Sequence, residues 1–168
     1  MNTVTFQGNT LHLEGTLPKV GEKAPGFVLV ANDLSEKTLA DYAGKPLVIV
    51  SVPSLDTPVC DLESKRFNQE AEKYAGKIQF IIVSCDLPFA QARWSEAANV
   101  KNVQTLSDYK LNDFGKNYGV LIKELRLLAR AVFVIDASGK ITYVQLVPEV
   151  TNQPDFGAVL DAVNKLAE

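Results

Sequence analysis

Residues 47–60, LVIVSVPSLDTPVC, pass from an apolar segment through a turn with two prolines to a cysteine. Residues 47–52 are typical of a strand in a parallel sheet that is covered on both faces. Residues 78–84, IQFIIVS, have the same character, and the stretch between the two segments predicts a helix. The apolar residues of that helix share one stripe: Leu62, Phe67, Ala71 and Tyr74. A strand, a helix and a second parallel strand in this order predict a right-handed crossover unit at the centre of an α/β fold.

The start of this helix is marked by residues that favour helix capping. Asp56 or Thr57 is suited to the N-cap, and Pro58 is suited to the first helical position. Cys60 then lies in the first turn, where free backbone N–H groups and the positive end of the helix dipole favour the thiolate form. This position indicates a reactive cysteine. The alternative is a small buried apolar side chain, which is the ordinary role of a free cysteine.

The rest of the chain adds strands and helices around the central unit. We expect an N-terminal β-hairpin around Gly8-Asn9 and a second antiparallel hairpin in AVFVIDASGKITYVQLV, residues 131–147. Further helices are predicted at residues 90–98, 108–118 and 154–167. These elements predict an α/β protein with a mixed central sheet and helices on both faces. Their order is that of the thioredoxin fold, and residues 1–168 are expected to form a single domain.

Composition excludes several classes of function. The 168 residues carry a net charge of −3, which gives no basic surface for nucleic acid or for an anionic membrane. The apolar runs are far shorter than the ~20 residues that span a bilayer, and no signal peptide is visible, so we expect a cytoplasmic protein. The two cysteines are too few for a disulfide framework, and adding the single histidine, His12, does not complete a structural zinc site. We therefore expect no metal and no cofactor.

Activation of Cys60 needs a partner other than histidine. His12 lies in the N-terminal hairpin, where a surface or cross-strand role is expected, so a hydrolase with a Cys–His pair is poorly supported. Arg130, in LLARAVFVI, directly precedes a buried strand, and charged residues rarely lie there without a partner. The alternative is a solvated arginine at the start of the strand. Arg130 is therefore the candidate cation for the chemistry of Cys60.

Several motifs carry a resemblance to a known family. PSLDTPVC (residues 53–60) fits the peroxiredoxin pattern P-x-x-x-T-x-x-C, and it is accompanied by SCDLPFAQARW (84–94), FGKNYGV (114–120) and LLARAVFVID (127–136). With these motifs the chain resembles, nearly from end to end, the bacterial thiol peroxidases of the atypical two-cysteine peroxiredoxin class. The resemblance implies a thioredoxin-dependent peroxidase that reduces hydrogen peroxide and organic hydroperoxides.

The resemblance also implies roles for four residues. Cys60 would be the peroxidatic cysteine, which attacks the O–O bond of the peroxide and becomes a sulfenic acid. Thr57 would form hydrogen bonds with the thiolate and the peroxide, and Pro53 would shield the pocket from water. Arg130 would hold the thiolate and stabilise the charge that moves along the peroxide.

The chain departs from the family pattern at position 95. The family has its resolving cysteine there, whereas this sequence reads ARWSEA with Ser95. Either a cysteine has been changed to serine, which the similar size of the two residues and the family-like surroundings favour, or the chain is a natural one-cysteine variant. We expect this Ser95 form to be impaired in multiple turnover, because serine cannot form a disulfide. Cys85 is expected to be a packed apolar thiol, and a disulfide between Cys60 and Cys85 is a minor hypothesis.

Two other kinds of protein share the predicted fold. A thioredoxin-like disulfide reductase needs C-x-x-C, whereas residues 60–63 read CDLE, which excludes that motif. A redox sensor or a holdase-like binding protein stays an alternative, since a fold does not determine a function. The partners implied by the resemblance are a hydroperoxide, thioredoxin and a second copy of the chain. The candidate dimer face comprises the segments around Phe89, Trp94 and Tyr109.

Overall fold

The structure is a computed structural model, and it describes residues 2–167. The strands are β1 (Thr3–Phe6), β2 (Asn9–Glu14), β3 (Val28–Ala31), β4 (Glu36–Thr38), β5 (Leu47–Ser51), β6 (Gln79–Ser84), β7 (Gln104–Ser107), β8 (Leu121–Ile122), β9 (Leu127–Leu128), β10 (Ala131–Ile135) and β11 (Ile141–Leu146). The helices are α1 (Pro58–Glu72), α2 (Pro88–Ala97), α3 (Asp113–Asn117) and α4 (Phe156–Ala167), with a 3₁₀ turn at Leu39–Tyr42. A central sheet has the strand order β11-β10-β5-β6-β7-β3-β4, and a smaller sheet has the order β1-β2-β8-β9.

The strand–helix–strand unit predicted at the centre of the fold is confirmed. β5 and β6 lie side by side in parallel, with Ile49 opposite Ile81, and α1 connects them along the chain. β7 is parallel to β6, whereas β10 pairs antiparallel with β5, so the sheet is mixed as expected. The hairpin predicted in residues 131–147 is formed by β10 and β11.

The central sheet carries a hydrophobic core on each face. Side chains alternate along a strand, so Val48 belongs to one core and its neighbour Ile49 to the other. Helices α1 and α4 cover the first face, where Phe67 and Val159 are fully buried. Helix α3 and the N-terminal hairpin cover the second face. The predicted thioredoxin-like α/β fold, with helices on both faces and an N-terminal hairpin, is confirmed.

The N-terminal hairpin turns one residue earlier than predicted. Phe6 is paired with Asn9, so the two-residue loop is Gln7-Gly8 rather than Gly8-Asn9. Both loop residues have positive φ, 50° for Gln7 and 83° for Gly8, as a type I′ turn requires.

The prediction of a helix over residues 108–118 was wrong in its first half. Helix α3 begins only at Asp113, and the residue before it, Asn112, has a left-handed φ of 55°. The Asp108 carboxylate accepts hydrogen bonds from the N–H groups of Phe114 at 3.2 Å and Gly115 at 2.9 Å. Asp108 therefore lies beside the first turn of the helix and satisfies its free N–H groups, instead of starting the helix itself.

The buried stripe of α1 also differs from the prediction. Leu62 is 62 % exposed, whereas Glu63 and Ser64 are fully buried beside Phe67 and Ala71. The helix is rotated so that Cys60 and the residues three and four positions later face the sheet. Helices α2 and α4 begin within two residues of their predicted starts, and among residues 2–167 no helix is long and apolar enough to cross a membrane.

Candidate active site

Cys60 lies in the first turn of α1, shortly after the end of the central strand β5. The chain leaves β5, passes through the buried Pro53 and a turn, and enters α1 with Thr57 as N-cap and Pro58 as the first helical residue. The Cys60 side chain is fully buried in the core beneath α1. The predicted position of the cysteine, in the first helical turn after a strand, is confirmed.

The hydroxyl of Thr57 serves the turn before the helix. Thr57 Oγ1 donates a hydrogen bond to the carbonyl oxygen of Ser54 at 3.0 Å and does not cap a helical N–H group. Since a hydroxyl has one proton, Oγ1 keeps only acceptor capacity towards any further partner. Thr57 therefore occupies the predicted N-cap position, but its hydroxyl proton goes to Ser54 and not, as the resemblance implied, to the Cys60 thiolate.

Arg130 is buried and paired, so a solvated arginine at this position is excluded. It directly precedes β10 and is 2 % exposed. Its Nε and Nη2 both donate to the carbonyl oxygen of Val150, at 3.1 and 2.9 Å, and its Nη1 donates to Glu63 Oε1. These contacts fix the plane of the guanidinium group from two sides.

A pocket of about 180 Å³ opens beside the first turn of α1. The predicted site residues Pro53, Thr57 and Arg130 all contribute to its wall. The remaining lining residues come from the hairpin, from α1 and from the loop after β11: Phe6, Pro58, Val59, Val150 and Thr151. The pocket thus brings three of the predicted residues together next to the turn that carries Cys60.

Glu63 is a site residue that the sequence analysis missed. It is fully buried one helical turn after Cys60, and burial raises the pKa of its carboxyl to about 7, although the charge of Arg130 opposes this rise. Its Oε2 has no hydrogen-bond partner among the described residues. An acidic residue three positions after the cysteine was the available signal, because the two share a helix face.

The Ser95 side chain contacts β7, and it forms no hydrogen bond with Cys60 among the described residues. It is half-buried in α2, and its Oγ lies 3.4 Å from the hydroxyl oxygen of Thr105 on β7. The preceding residue, Trp94, donates from Nε1 to Asp61 Oδ1 at 2.8 Å and so ties α2 to the first turn of α1. Because the side chain at position 95 contacts Thr105, we expect a bond between positions 60 and 95 to require local rearrangement of α1 and α2.

Asp86, between β6 and α2, forms a second link to the segment that leads into Cys60. Its carboxylate accepts hydrogen bonds from Ser54 Oγ at 2.7 Å, from the N–H of Leu55 at 2.8 Å and from Ser84 Oγ at 2.7 Å. It therefore holds the turn before Cys60 against the end of β6. In the sequence Asp86 is part of the SCDLPFAQARW motif, which by itself predicts no contact for this carboxylate.

Cys85 and His12 lie away from the pocket. Cys85 packs against the core on the opposite face of the sheet from Cys60, and both cysteines are free. Burial, and then the nearby Asp108 and Asp86 carboxylates, raise the pKa of the Cys85 thiol to about 12. This shift disfavours the Cys85 thiolate, and the placement of the two cysteines in cores on opposite faces of the sheet opposes the minor hypothesis of a disulfide. The His12 ring lies on the surface, with Nδ1 at 2.8 Å from a Glu124 oxygen.

Comparison with known proteins identifies relatives over the whole chain. Residues 19–160 match the Redoxin family. The thiol peroxidase of Oceanobacillus iheyensis is 53 % identical over 165 residues, covering 98 % of this chain and 100 % of that protein. The thiol peroxidase of Bacillus subtilis is 47 % identical over 168 residues, covering 100 % of both chains. The crystal structure of a peroxiredoxin-like protein from Aquifex aeolicus superposes with a TM-score of 0.89 at 45 % identity, covering 99 % of this chain and 98 % of that one.

Proposed function

The chain belongs to the Redoxin family and catalyses thiol-dependent reduction of hydroperoxides, and we propose that Cys60 is the residue that attacks the peroxide. One observation carries this assignment. The first turn of α1, which bears Cys60, adjoins a pocket whose wall contains a buried, oriented guanidinium group, that of Arg130. A cation and a helix N-terminus at one place stabilise both a thiolate and the negative charge that develops on a peroxide.

The first step is a displacement at oxygen. The Cys60 thiolate attacks the terminal oxygen of the hydroperoxide, the S–O bond forms and the O–O bond breaks. The cysteine is oxidised to a sulfenic acid, and the departing alkoxide or hydroxide takes up a proton to give an alcohol or water.

The surrounding residues position this reaction. Arg130 faces the developing negative charge, and its contacts with Val150 and Glu63 keep it oriented. Because Thr57 donates its hydroxyl proton to the Ser54 carbonyl oxygen, Thr57 Oγ1 can only accept, and it accepts a hydrogen bond from the O–H of the peroxide. Pro53 contributes an apolar wall that keeps bulk water from the reacting atoms.

The second step returns Cys60 to the thiol. We propose thioredoxin as the reductant, with efficient recycling when position 95 carries a cysteine. With Ser95 present, the Cys60 sulfenic acid persists until an external thiol attacks its sulfur, and in that time further peroxide can oxidise it to a sulfinic acid. The same proposal includes a single domain over residues 1–168 and a cytoplasmic location.

We also propose that the protein works as a homodimer. Phe89 on α2 is 67 % exposed and Tyr109 is 41 % exposed, which leaves apolar surface for a second copy. Trp94, the third residue of the predicted dimer face, is half-buried against α1. Sedimentation at micromolar concentration should give a dimer, and a purely monomeric species would contradict this.

The assignment of Cys60 is tested with the two cysteines as a matched pair. Cys60→Ser should abolish the single equivalent of peroxide consumed by the reduced protein, whereas Cys85→Ser should leave it unchanged. Mass spectrometry of the peroxide-treated protein should place the added oxygen on Cys60. Undiminished consumption by Cys60→Ser, or no consumption by the unchanged chain, would contradict the assignment and favour a non-enzymatic binding role.

A further inference from the structure

The N-terminal hairpin contributes an aromatic side chain to the pocket at Arg130. Phe6, at the end of β1, lines this pocket although it is more than forty residues from Pro53 along the chain. It is 37 % exposed, so part of its ring is free to contact a bound molecule. Resting on the proposed function, we propose that Phe6 is a specificity-determining residue that packs against the organic group of a hydroperoxide.

The chain on either side of Phe6 is held in place by hydrogen bonds to one acidic residue. The Glu149 carboxylate accepts hydrogen bonds from Thr5 Oγ1 at 2.9 Å, from the N–H of Gln7 at 3.2 Å and from the N–H of Gly8 at 2.9 Å. Hydrogen bonds from the N–H and hydroxyl of Thr151, followed by that from Gly8, lower the pKa of this carboxyl to about 2, so it stays ionised. Phe6 lies between these anchored residues, so its backbone is fixed beside the pocket.

The loop after β11 forms hydrogen bonds both with the strand that carries Phe6 and with the guanidinium group of Arg130. The N–H of Thr5 donates to the Pro148 carbonyl at 2.8 Å, and the N–H of Val150 donates to the Thr5 carbonyl at 2.8 Å. The Val150 carbonyl in turn accepts both hydrogen bonds from Arg130. Val150 thereby joins Thr5, the residue before Phe6, to the guanidinium group of Arg130.

The composition and size of the pocket favour an organic substituent. Its polar groups come from Arg130 and from Thr57 and Thr151, and the rest of its wall is formed by prolines, valines and Phe6. A water molecule occupies ~30 Å³ in the liquid, so hydrogen peroxide fills only part of a volume of about 180 Å³. The peroxide end of a substrate would lie towards Arg130, and a branched alkyl or aryl group would fill the remaining space beside Phe6.

The test compares a bulky and a small peroxide on matched variants. Phe6→Ala removes the ring, and Phe6→Leu keeps an apolar side chain. Leu125→Ala is the control, because Leu125 lies between β8 and β9 of the same small sheet with a similar exposure of 41 %. All variants are made in a Cys85→Ser background. Each is mixed rapidly with cumene hydroperoxide or hydrogen peroxide and quenched with acid, and the oxidation of Cys60 is measured by mass spectrometry of the intact protein.

Phe6→Ala should lower the rate constant for cumene hydroperoxide about tenfold, and that for hydrogen peroxide should stay within about twofold. Phe6→Leu should recover part of the loss, and Leu125→Ala should match the unchanged protein with both peroxides. Equal losses with both peroxides would show that Phe6 only supports the fold, and no loss with either would show that the ring contacts no substrate. Both results overturn the inference but leave Cys60 as the attacking residue. The assignment of Cys60 as the attacking residue is refuted only if neither peroxide oxidises Cys60 in the unchanged protein.

Discussion

Replacing Glu63 by leucine should destabilise the protein strongly, because it leaves the charge of Arg130 buried without its anionic partner. Glu63 and Arg130 are 0 % and 2 % exposed, and Arg130 Nη1 donates to Glu63 Oε1. Removing one member of such a buried pair costs about 3–5 kcal/mol of the free energy of unfolding. That is a large part of the roughly 5–15 kcal/mol that stabilises a typical domain.

The measurement is urea unfolding at pH 8, followed by the fluorescence of Trp94, which is the only tryptophan of the chain. A double-mutant cycle with Arg130→Met isolates the interaction between the two residues. Replacing both residues by apolar ones should recover most of the loss, since buried pairs are often exchanged for apolar residues at little cost. If Glu63→Leu lowers the free energy of unfolding equally with arginine and with methionine at position 130, the two residues do not interact in the folded state.

The pH dependence of the stability of the conservative variant Glu63→Gln tests independently whether the pKa of Glu63 is raised or lowered in the folded state. Burial raises the pKa of Glu63 to about 7, above its value in the unfolded chain, so the folded state binds the proton more tightly. The stability that protonation of Glu63 contributes to the folded state is fully present below about pH 4.5 and is lost as pH rises to about 7. The destabilisation caused by Glu63→Gln should therefore shrink by up to about 3 kcal/mol between pH 5 and pH 8. A destabilisation that grows with pH would show that attraction to Arg130 outweighs burial.

Three further predictions concern turnover, charge geometry and stability. Ser95→Cys should convert a reaction that stops after about one equivalent of peroxide into sustained NADPH oxidation coupled to thioredoxin, and equal turnover by both proteins would reveal another resolving thiol. Arg130→Lys keeps the charge but loses the planar contacts with Val150, so oxidation of Cys60 should slow on the order of a hundredfold in rapid-quench measurements. Burial raises the pKa of Asp108 to about 7, so stability should fall by up to about 4 kcal/mol as pH rises from 4 to 7. Urea unfolding of Asp108→Asn should show that this slope is reduced, and an unchanged slope would assign it to other groups.

The parts of the protein that the sequence alone determined are those specified by local physical signals. Apolar runs over residues 47–52 and 78–84 sufficed to predict the parallel strands, because strands buried on both faces must be apolar throughout. Pro58 after Thr57 marked the start of α1, since a proline at the first helical position sacrifices no hydrogen bond. These signals placed Cys60 in the first helical turn without knowledge of any distant contact.

Only the tertiary structure decided which side chains meet. The stripe of α1 was predicted with Leu62 inside, whereas packing of α1 against the central sheet brings Glu63 inward to the charge of Arg130. The hairpin was recognised from its turn, but its place at the pocket depends on Glu149, more than 140 residues later in the chain. Periodicity specifies that a helix or strand has an apolar face, but long-range packing sets the rotation of that face and the partner of each buried charge.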